Sequence, residues 1–179
     1  MVLVTDIFRL ETLQPSDASN LSRLMISNGK RFQKYLPITL SQNISEDASK
    51  DYIKKKNSEI QNKTEFTFAI KDRDSNAIAG LVILKHLDYQ SKLGEFAYCL
   101  GSKYSGNGWM TKSIKAVTDF AFSELQLNTL QIVVHKTNTE SVNVAERSGF
   151  TWVKTLPKEY VSGKSTLDME LYELHKDAI

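Results

Sequence analysis

The 179-residue chain holds a single cysteine, Cys99, so no disulfide forms within it and cysteine-rich metal or redox scaffolds are excluded. Its three histidines, His86, His135 and His175, lie far apart, and neither an HExxH nor a CxxC spacing occurs, which predicts no metal site. No apolar run approaches the roughly 20 residues that span a bilayer. The amino-terminal stretch MVLVTDIFRL lacks a basic segment followed by an apolar core, so a cytoplasmic protein without a membrane anchor is expected. Neither sign of charge dominates: 23 Lys and Arg against 21 Asp and Glu leave a net charge of +2, too weak a field for a protein that wraps nucleic acid. A GxSxG nucleophile elbow is missing, as are repeats of 20–50 residues and low-complexity segments. What is present is 41% hydrophobic content, enough to bury one sizeable core, and the expectation is a single domain over residues 1–179.

Along the chain the apolar pattern changes period. Ile7 to Leu13 alternates as a strand, Pro15-Ser16-Asp17 opens a helix carrying Leu21, Leu24 and Met25, and Asn28-Gly29 stops it. A second amphipathic piece runs from Lys30 to Leu36-Pro37, and Ser45-Glu46-Asp47 opens a further helix with Tyr52, Ile53 and Ile60. The Lys54-Lys55-Lys56 run on that helix reads as solvated surface. Phe66, Phe68 and Ile70, a turn over Asp72 to Asn76, and Ala77 to Leu84 form a hairpin. Leu93 to Leu100 is a strand leading into a glycine loop and a helix with Ile114, Val117, Ala121 and Leu125 on one side. Leu130, Ile132 and Val134 alternate, after which Thr137 and Glu140 have capping-box spacing for a short helix that Gly149 ends. Phe150 to Lys154, a break at Pro157, and Thr166 to Glu173 complete a mixed α/β chain, antiparallel strands first and then one crossover.

The loop between the Leu93–Leu100 strand and the next helix reads KYSGNGWMTKSIKA. Gly106 and Gly108 reach backbone angles closed to other residues, and a helix start behind them aims unpaired N–H groups at one spot, which suits phosphate. A plain strand-to-helix turn is the alternative. The GxxxxGK[ST] loop fails because Thr111 stands before Lys112 where glycine is required, and GxGxxG fails because position 111 is not glycine.

The run GEFAYCLGSKYSGNGWMTKSIKAVTDFAFSELQLNTLQIVVHKTNTESVNVAERSGF resembles the acetyl-CoA-binding half of GNAT N-acetyltransferases, most closely the group that acetylates ribosomal-protein amino termini. The resemblance is close over residues 93–153 and looser through RLETLQPSDA and NGKRFQKYLP. It implies a GNAT-like fold: a mixed, mostly antiparallel twisted sheet flanked by helices, with splayed central strands. It also implies acetyl-CoA as co-substrate and direct acetyl transfer to a primary amine. In the family the CoA diphosphate sits on a loop spelled Gln or Arg, two residues, Gly, one residue, then Gly or Ala. Aligned on Gly108, this chain has Ser105 in place of the long polar residue and Met110 in place of the small one, with Gly106, Asn107, Gly108, Trp109, Met110 and Thr111 as the binding stretch. Lys112 or Lys115 would then supply the missing charge. Trp109 matches an aromatic of the closest group, or serves the core. Tyr98, Cys99 and Leu100 match the strand whose backbone pairs with the pantetheine arm, the N–H near Leu100 serving as oxyanion donor. Asn138 matches the asparagine that contacts cofactor or product amide; its alternative is a helix-start residue.

An attacking amine must be neutral, and the thiolate that leaves must gain a proton. By resemblance Glu95 is the proton acceptor, directly or through water; otherwise it is an exposed strand residue. Ser141 matches the subgroup's serine near sulfur, suited to orienting the thiolate or relaying a proton, while the common family tyrosine aligns with Ala145. A nucleophilic Cys99 paired with His86 or His135 is disfavoured, because a lone cysteine in an apolar strand is usually inert packing. The expected acceptor is a protein or peptide N-terminus. A small amine (a polyamine, an amino sugar or an amino acid) is the rival, for which Glu46, Asp47, Asp51 and Glu65 would line an acidic cleft. A non-catalytic acyl-CoA sensor is a third reading. Acceptor choice is expected within residues 14–62. Family resemblance alone suggests a homodimer.

Overall fold

The computed structural model describes residues 3–162 and 165–178. Eight strands form one sheet: β1 (Leu3–Val4), β2 (Phe8–Thr12), β3 (Phe66–Asp72), β4 (Ile78–Asp88), β5 (Leu93–Leu100), β6 (Thr129–Val134), β7 (Thr151–Ser162) and β8 (Ser165–His175). Their order is β1-β2-β3-β4-β5-β6-β8-β7. Among the described residues the helices are α1 (Ala18–Ser27), α2 (Gly29–Gln33), α3 (Pro37–Ser41), α4 (Glu46–Gln61), α5 (Trp109–Ser123) and α6 (Thr139–Arg147), with short 3-10 turns at Pro15–Asp17, Ser102–Tyr104 and Lys176–Ala178. The chain divides into two compact units, one reaching to Ile83 and including Tyr98–Trp109, the other made of Leu84–Ala97 and the chain from Met110 onward.

In the first unit β2 and β3 pair antiparallel from Phe8↔Asp72 to Thr12↔Phe68. Phe8, Leu10, Leu13, Leu21, Met25, Ile53 and Ile70 are fully buried, so the period-2 positions of the strands and the helical positions of α1 and α4 meet in one core. Lys71 is buried there with its ammonium 2.7 Å from Asp17 and 3.0 Å from Glu11, which fastens the Pro15–Asp17 turn. Ser45 caps α4, accepting from the Ala48 N–H at 3.1 Å, as its sequence predicts. The turn after β3 forms around Asp72, whose Oδ1 accepts from the Asp74 N–H, the Ser75 N–H and the Ser75 hydroxyl. A Cβ on Gly80 would stand 2.3 Å from the Cys99 carbonyl oxygen, so glycine is what lets these two backbones approach.

The lysine run on α4 differs from expectation. Lys54 and Lys55 are exposed, but Lys56 is buried, bonding Glu59 at 2.8 Å and Glu65 at 2.5 Å. Its position, three and four residues after Ile53 and Tyr52, puts it on the inward face of the helix.

In the second unit β5 pairs parallel with β6 from Leu93↔Thr129 to Phe96↔Ile132, and Ala97 to Leu100 lie beyond that register. β8 is antiparallel to both β6 and β7. Pro157 does not break β7: the strand runs through it, and the register shift between Leu156 and Tyr160, with Lys158 at φ 54°, absorbs the missing N–H as a bulge. Nor does Thr137 cap α6. Asn138 does, its Oδ1 accepting from the Ser141 N–H at 3.4 Å, while the Thr137 hydroxyl lies 2.7 Å from His135 Nδ1. Gly149, at φ 94°, follows the helix as expected.

Candidate active site

The glycine loop begins where β5 ends. Gly101 donates its N–H to the Ala79 carbonyl at 2.8 Å, and after the 3-10 turn Ser105 returns to extended backbone at φ −66°, ψ 152°. Gly106 and Gly108 take φ +82° and +74°, and a Cβ on either would meet no atom within 4 Å. The positive angles supply the requirement for glycine, and the open space leaves the backbone accessible to an anion. Gly106, Asn107 and Gly108 are exposed. Trp109 begins α5 with its ring buried, 5.0 Å from Phe8 at 28° and 5.0 Å from Tyr104 at 35°, which anchors the loop's far end. Its side chain belongs to the core, so only its backbone is open to a ligand. Met110 is likewise buried and takes the place of a small residue by pointing inward; Thr111 is half-buried. Exposed backbone in this conformation is the chemistry that an anion such as a phosphate requires.

Along β5, Tyr98 and Leu100 are half-buried and Cys99 is buried. Burial pushes the Cys99 thiol up to about 12, against the opposing effects of the Leu81 N–H and the Arg31 charge, which leaves it a protonated, unreactive side chain at neutral pH. His86 turns to Glu95 and His135 to Thr137. Neither histidine is hydrogen-bonded to Cys99, whose raised pKa leaves no nucleophile at this end of the strand.

Glu95 is half-buried and precedes Phe96, the last residue registered with β6. Its Oε1 lies 3.1 Å from the Lys85 ammonium and its Oε2 3.1 Å from His86 Nδ1. His86 sits in the left-handed region at φ 51°, a sparsely populated conformation for a residue with a side chain, and its ring is largely exposed. The hairpin makes this cluster: Asp88 Oδ1 accepts from the Gln90 and Ser91 N–H groups, returning the chain so that Glu95 comes back beside Lys85 and His86. The Asp88-to-Ser91 turn signal was available in the sequence, but the strand was expected to end at Leu84, short of both partners. Asn138 and Ser141 lie together at the start of α6, both half-buried, joined by the capping bond.

Glu46 and Asp47 lie 3.2 and 3.1 Å from the same Lys50 ammonium, and Glu65 is bonded to Lys56. Three of the four carboxylates expected to line an acidic cleft thus have a lysine partner; Asp51 is exposed.

Residues 8–151 match the family model described as an acetyltransferase (GNAT) domain. The chain is 25% identical over 147 residues, 82% of its length and 79% of the relative's, to YdaF of Bacillus subtilis, provisionally named a ribosomal N-acetyltransferase. It is 29% identical over 82 residues, 46% of its length and 44% of the relative's, to the spermidine N(1)-acetyltransferase of Escherichia coli. In fold it is similar to a ribosomal L7/L12 alpha-N-protein acetyltransferase solved with coenzyme A, at TM-score 0.90 and 19% identity over 99% of both chains. The open eight-stranded sheet, the glycine loop between β5 and α5 and the family match over most of the length agree: the chain belongs to the GNAT acetyltransferase family, as an acetyl-CoA-dependent N-acetyltransferase.

Proposed function

We propose that the acetyl acceptor is the N-terminal α-amine of a protein or peptide, of the ribosomal-protein type. The observation that carries this reading is that Glu46 and Asp47 are both engaged by Lys50, and Glu65 by Lys56, so three of the four carboxylates a polycation would need already meet a cation of the chain. YdaF, matched over most of both chains, carries a ribosomal name, whereas the spermidine enzymes of Escherichia coli and Vibrio cholerae are matched over 44% and 60% of their lengths. Proton chemistry agrees. An α-amine has an ordinary pKa of about 7.7–8.0 and is neutral in roughly a tenth or more of molecules near pH 7, against about one lysine amine in a few thousand.

In this reading the diphosphate of acetyl-CoA lies on the backbone of Gly106 to Thr111, and the pantetheine arm runs beside Tyr98, Cys99 and Leu100 as an added strand. The N–H near Leu100 stabilises the oxyanion formed as the amine attacks the thioester carbonyl. Glu95 receives the amine proton directly or through water, with Lys85 and His86 holding the carboxylate in place. Asn138 contacts the acetyl-bearing end of the cofactor or the product amide, and Ser141 orients the departing thiolate or relays a proton to it. No acyl-enzyme forms, in keeping with the raised pKa of the one cysteine.

The test is a competition of acceptors with acetyl-CoA, read by CoA release and by mass spectrometry of the products. The panel holds peptides with free Ala or Ser amino termini, the same peptides Nα-blocked but carrying an internal lysine, and spermidine. Acetylation of the free amino terminus alone is expected. A larger kcat/KM for spermidine would move the reading to small amines, and CoA binding without turnover of any acceptor would replace it with a sensor.

A further inference from the structure

The loop departs from its family spelling at Ser105, where a long polar side chain is expected, and backbone amides alone bring only partial positive charge to a diphosphate. The fold brings a full charge from elsewhere in the same unit. Asn28, which ends α1, donates through Nδ2 to the Leu24 carbonyl at 2.9 Å and accepts through Oδ1 from the Ser102 N–H at 3.0 Å. This ties the start of α2 to the segment before the glycine loop. Three residues on, the half-buried Arg31 extends Nη2 to the Ser105 hydroxyl at 3.0 Å, across 74 positions of sequence.

The Ser105 hydroxyl is the acceptor that aims this guanidinium. A guanidinium is a rigid planar fork that matches phosphate oxygens in pairs, so a bond that orients the plane also orients its pairing. Arg31 also acts electrostatically on the buried Cys99 thiol, which places its charge near the end of β5 as well as at the loop. Lys112 and Lys115, the cations expected from the sequence, are exposed on α5.

We propose that Arg31, carried on α2 and oriented by Ser105, is the cation that binds the diphosphate of acetyl-CoA in this chain. The inference rests on the assignment of acetyl-CoA as donor, and it moves the charge of the phosphate site from the loop itself to the helix beside it.

Calorimetric titration separates the two. Wild type, Arg31→Ala, Arg31→Gln and the double variant Arg31→Ala/Ser105→Arg are titrated with CoA, with ADP as the diphosphate-bearing fragment, and with S-acetylpantetheine, which has no diphosphate. Arg31→Ala and Arg31→Gln are expected to weaken CoA and ADP about tenfold or more, to flatten the salt dependence of binding, and to leave S-acetylpantetheine within about twofold. Ser105→Arg, restoring charge at the family position, is expected to recover most of the CoA affinity. Wild-type affinity in both single variants would overturn the proposal while leaving the donor intact, as would equal loss of all three ligands, which marks a merely structural arginine. If wild type binds neither CoA nor ADP, the acetyl-CoA assignment falls and the proposal with it. Melting curves show that each variant is folded, and the glutamine variant keeps the test open where alanine unfolds.

Discussion

Asn138 carries two separable assignments, cap and cofactor contact, and substitutions tell them apart. As the cap of α6 it holds one bond, Oδ1 to the Ser141 N–H at 3.4 Å. A cap exchanged for alanine costs about 0.5–2 kcal/mol, and a bond this long belongs in the lower half, about 0.5–1 kcal/mol. For a chain of this size that lowers the melting temperature by roughly 1–4 °C. Asp and Ser also cap, so Asn138→Asp and Asn138→Ser are expected to melt within about 1 °C of wild type. Both remove the amide NH2, the only side-chain donor with which Asn138 addresses a carbonyl of the cofactor or product. Loss of one such bond, about 0.5–1.5 kcal/mol, predicts a two- to tenfold fall, roughly, in kcat/KM for acetyl-CoA. Scanning fluorimetry and initial-rate kinetics on the three variants are sufficient. Wild-type kinetics in the Asp and Ser variants would refute the cofactor contact, and an unshifted melting temperature for Asn138→Ala would refute the cap.

Cys99, buried and with its thiol pushed up to about 12, is expected to resist thiol reagents at pH 8 in the folded protein and to react fully once denatured, with Cys99→Ala keeping activity within about twofold. Rapid labelling of the native protein would contradict this. Lys56→Met keeps the aliphatic stem but leaves Glu59 and Glu65 facing each other without their ammonium, and is expected to cost about 1–3 kcal/mol in chemical denaturation. Burial alone would lower the Lys56 pKa, but its bonds to the two glutamates overcome that and raise it above 10.5. A group raised in the folded state stabilises fully below its unfolded value and loses that stabilisation as pH climbs through the folded one. Wild type should therefore lose stability above about pH 10.5 more steeply than Lys56→Met, and parallel curves would show that the cluster contributes nothing.

The parts of the fold read most directly from sequence are those whose cause is local. Ser45 caps α4 because a hydroxyl three residues ahead of an N–H needs nothing distant, and the Asp72 turn closes on its own Oδ1. Gly106 and Gly108 were expected to adopt unusual angles because they stand at a strand-to-helix loop, and they do. Where the outcome depended on a residue far away, local reasoning gave the wrong environment. Lys56 looked like one of three solvated lysines, and only the packing of α4 turns it toward Glu65. Pro157 looked like a strand end, yet β8 keeps pairing on both sides of a bulge. Thr137 and Asn138 differ in another way: both are good caps by type, and a local competitor, His135 two residues earlier, engages the Thr137 hydroxyl.

The same limit applies to the candidate site. Family resemblance names Glu95, but its partners Lys85 and His86 lie across a hairpin whose first strand continues past Leu84 to Asp88. At the glycine loop a serine stands where the family spelling has a long polar residue, and sequence alone offers Lys112 or Lys115, a few residues on, for the missing charge. Phosphate binding requires open amides and a cation within reach, and neither has to be contiguous with the other. Gly106 and Gly108 meet the first requirement through their own φ angles. Arg31, 74 residues earlier, reaches Ser105 from α2, whose start Asn28 ties to Ser102. A departure from a local motif is thus evidence about affinity only after the neighbouring elements have been folded around it.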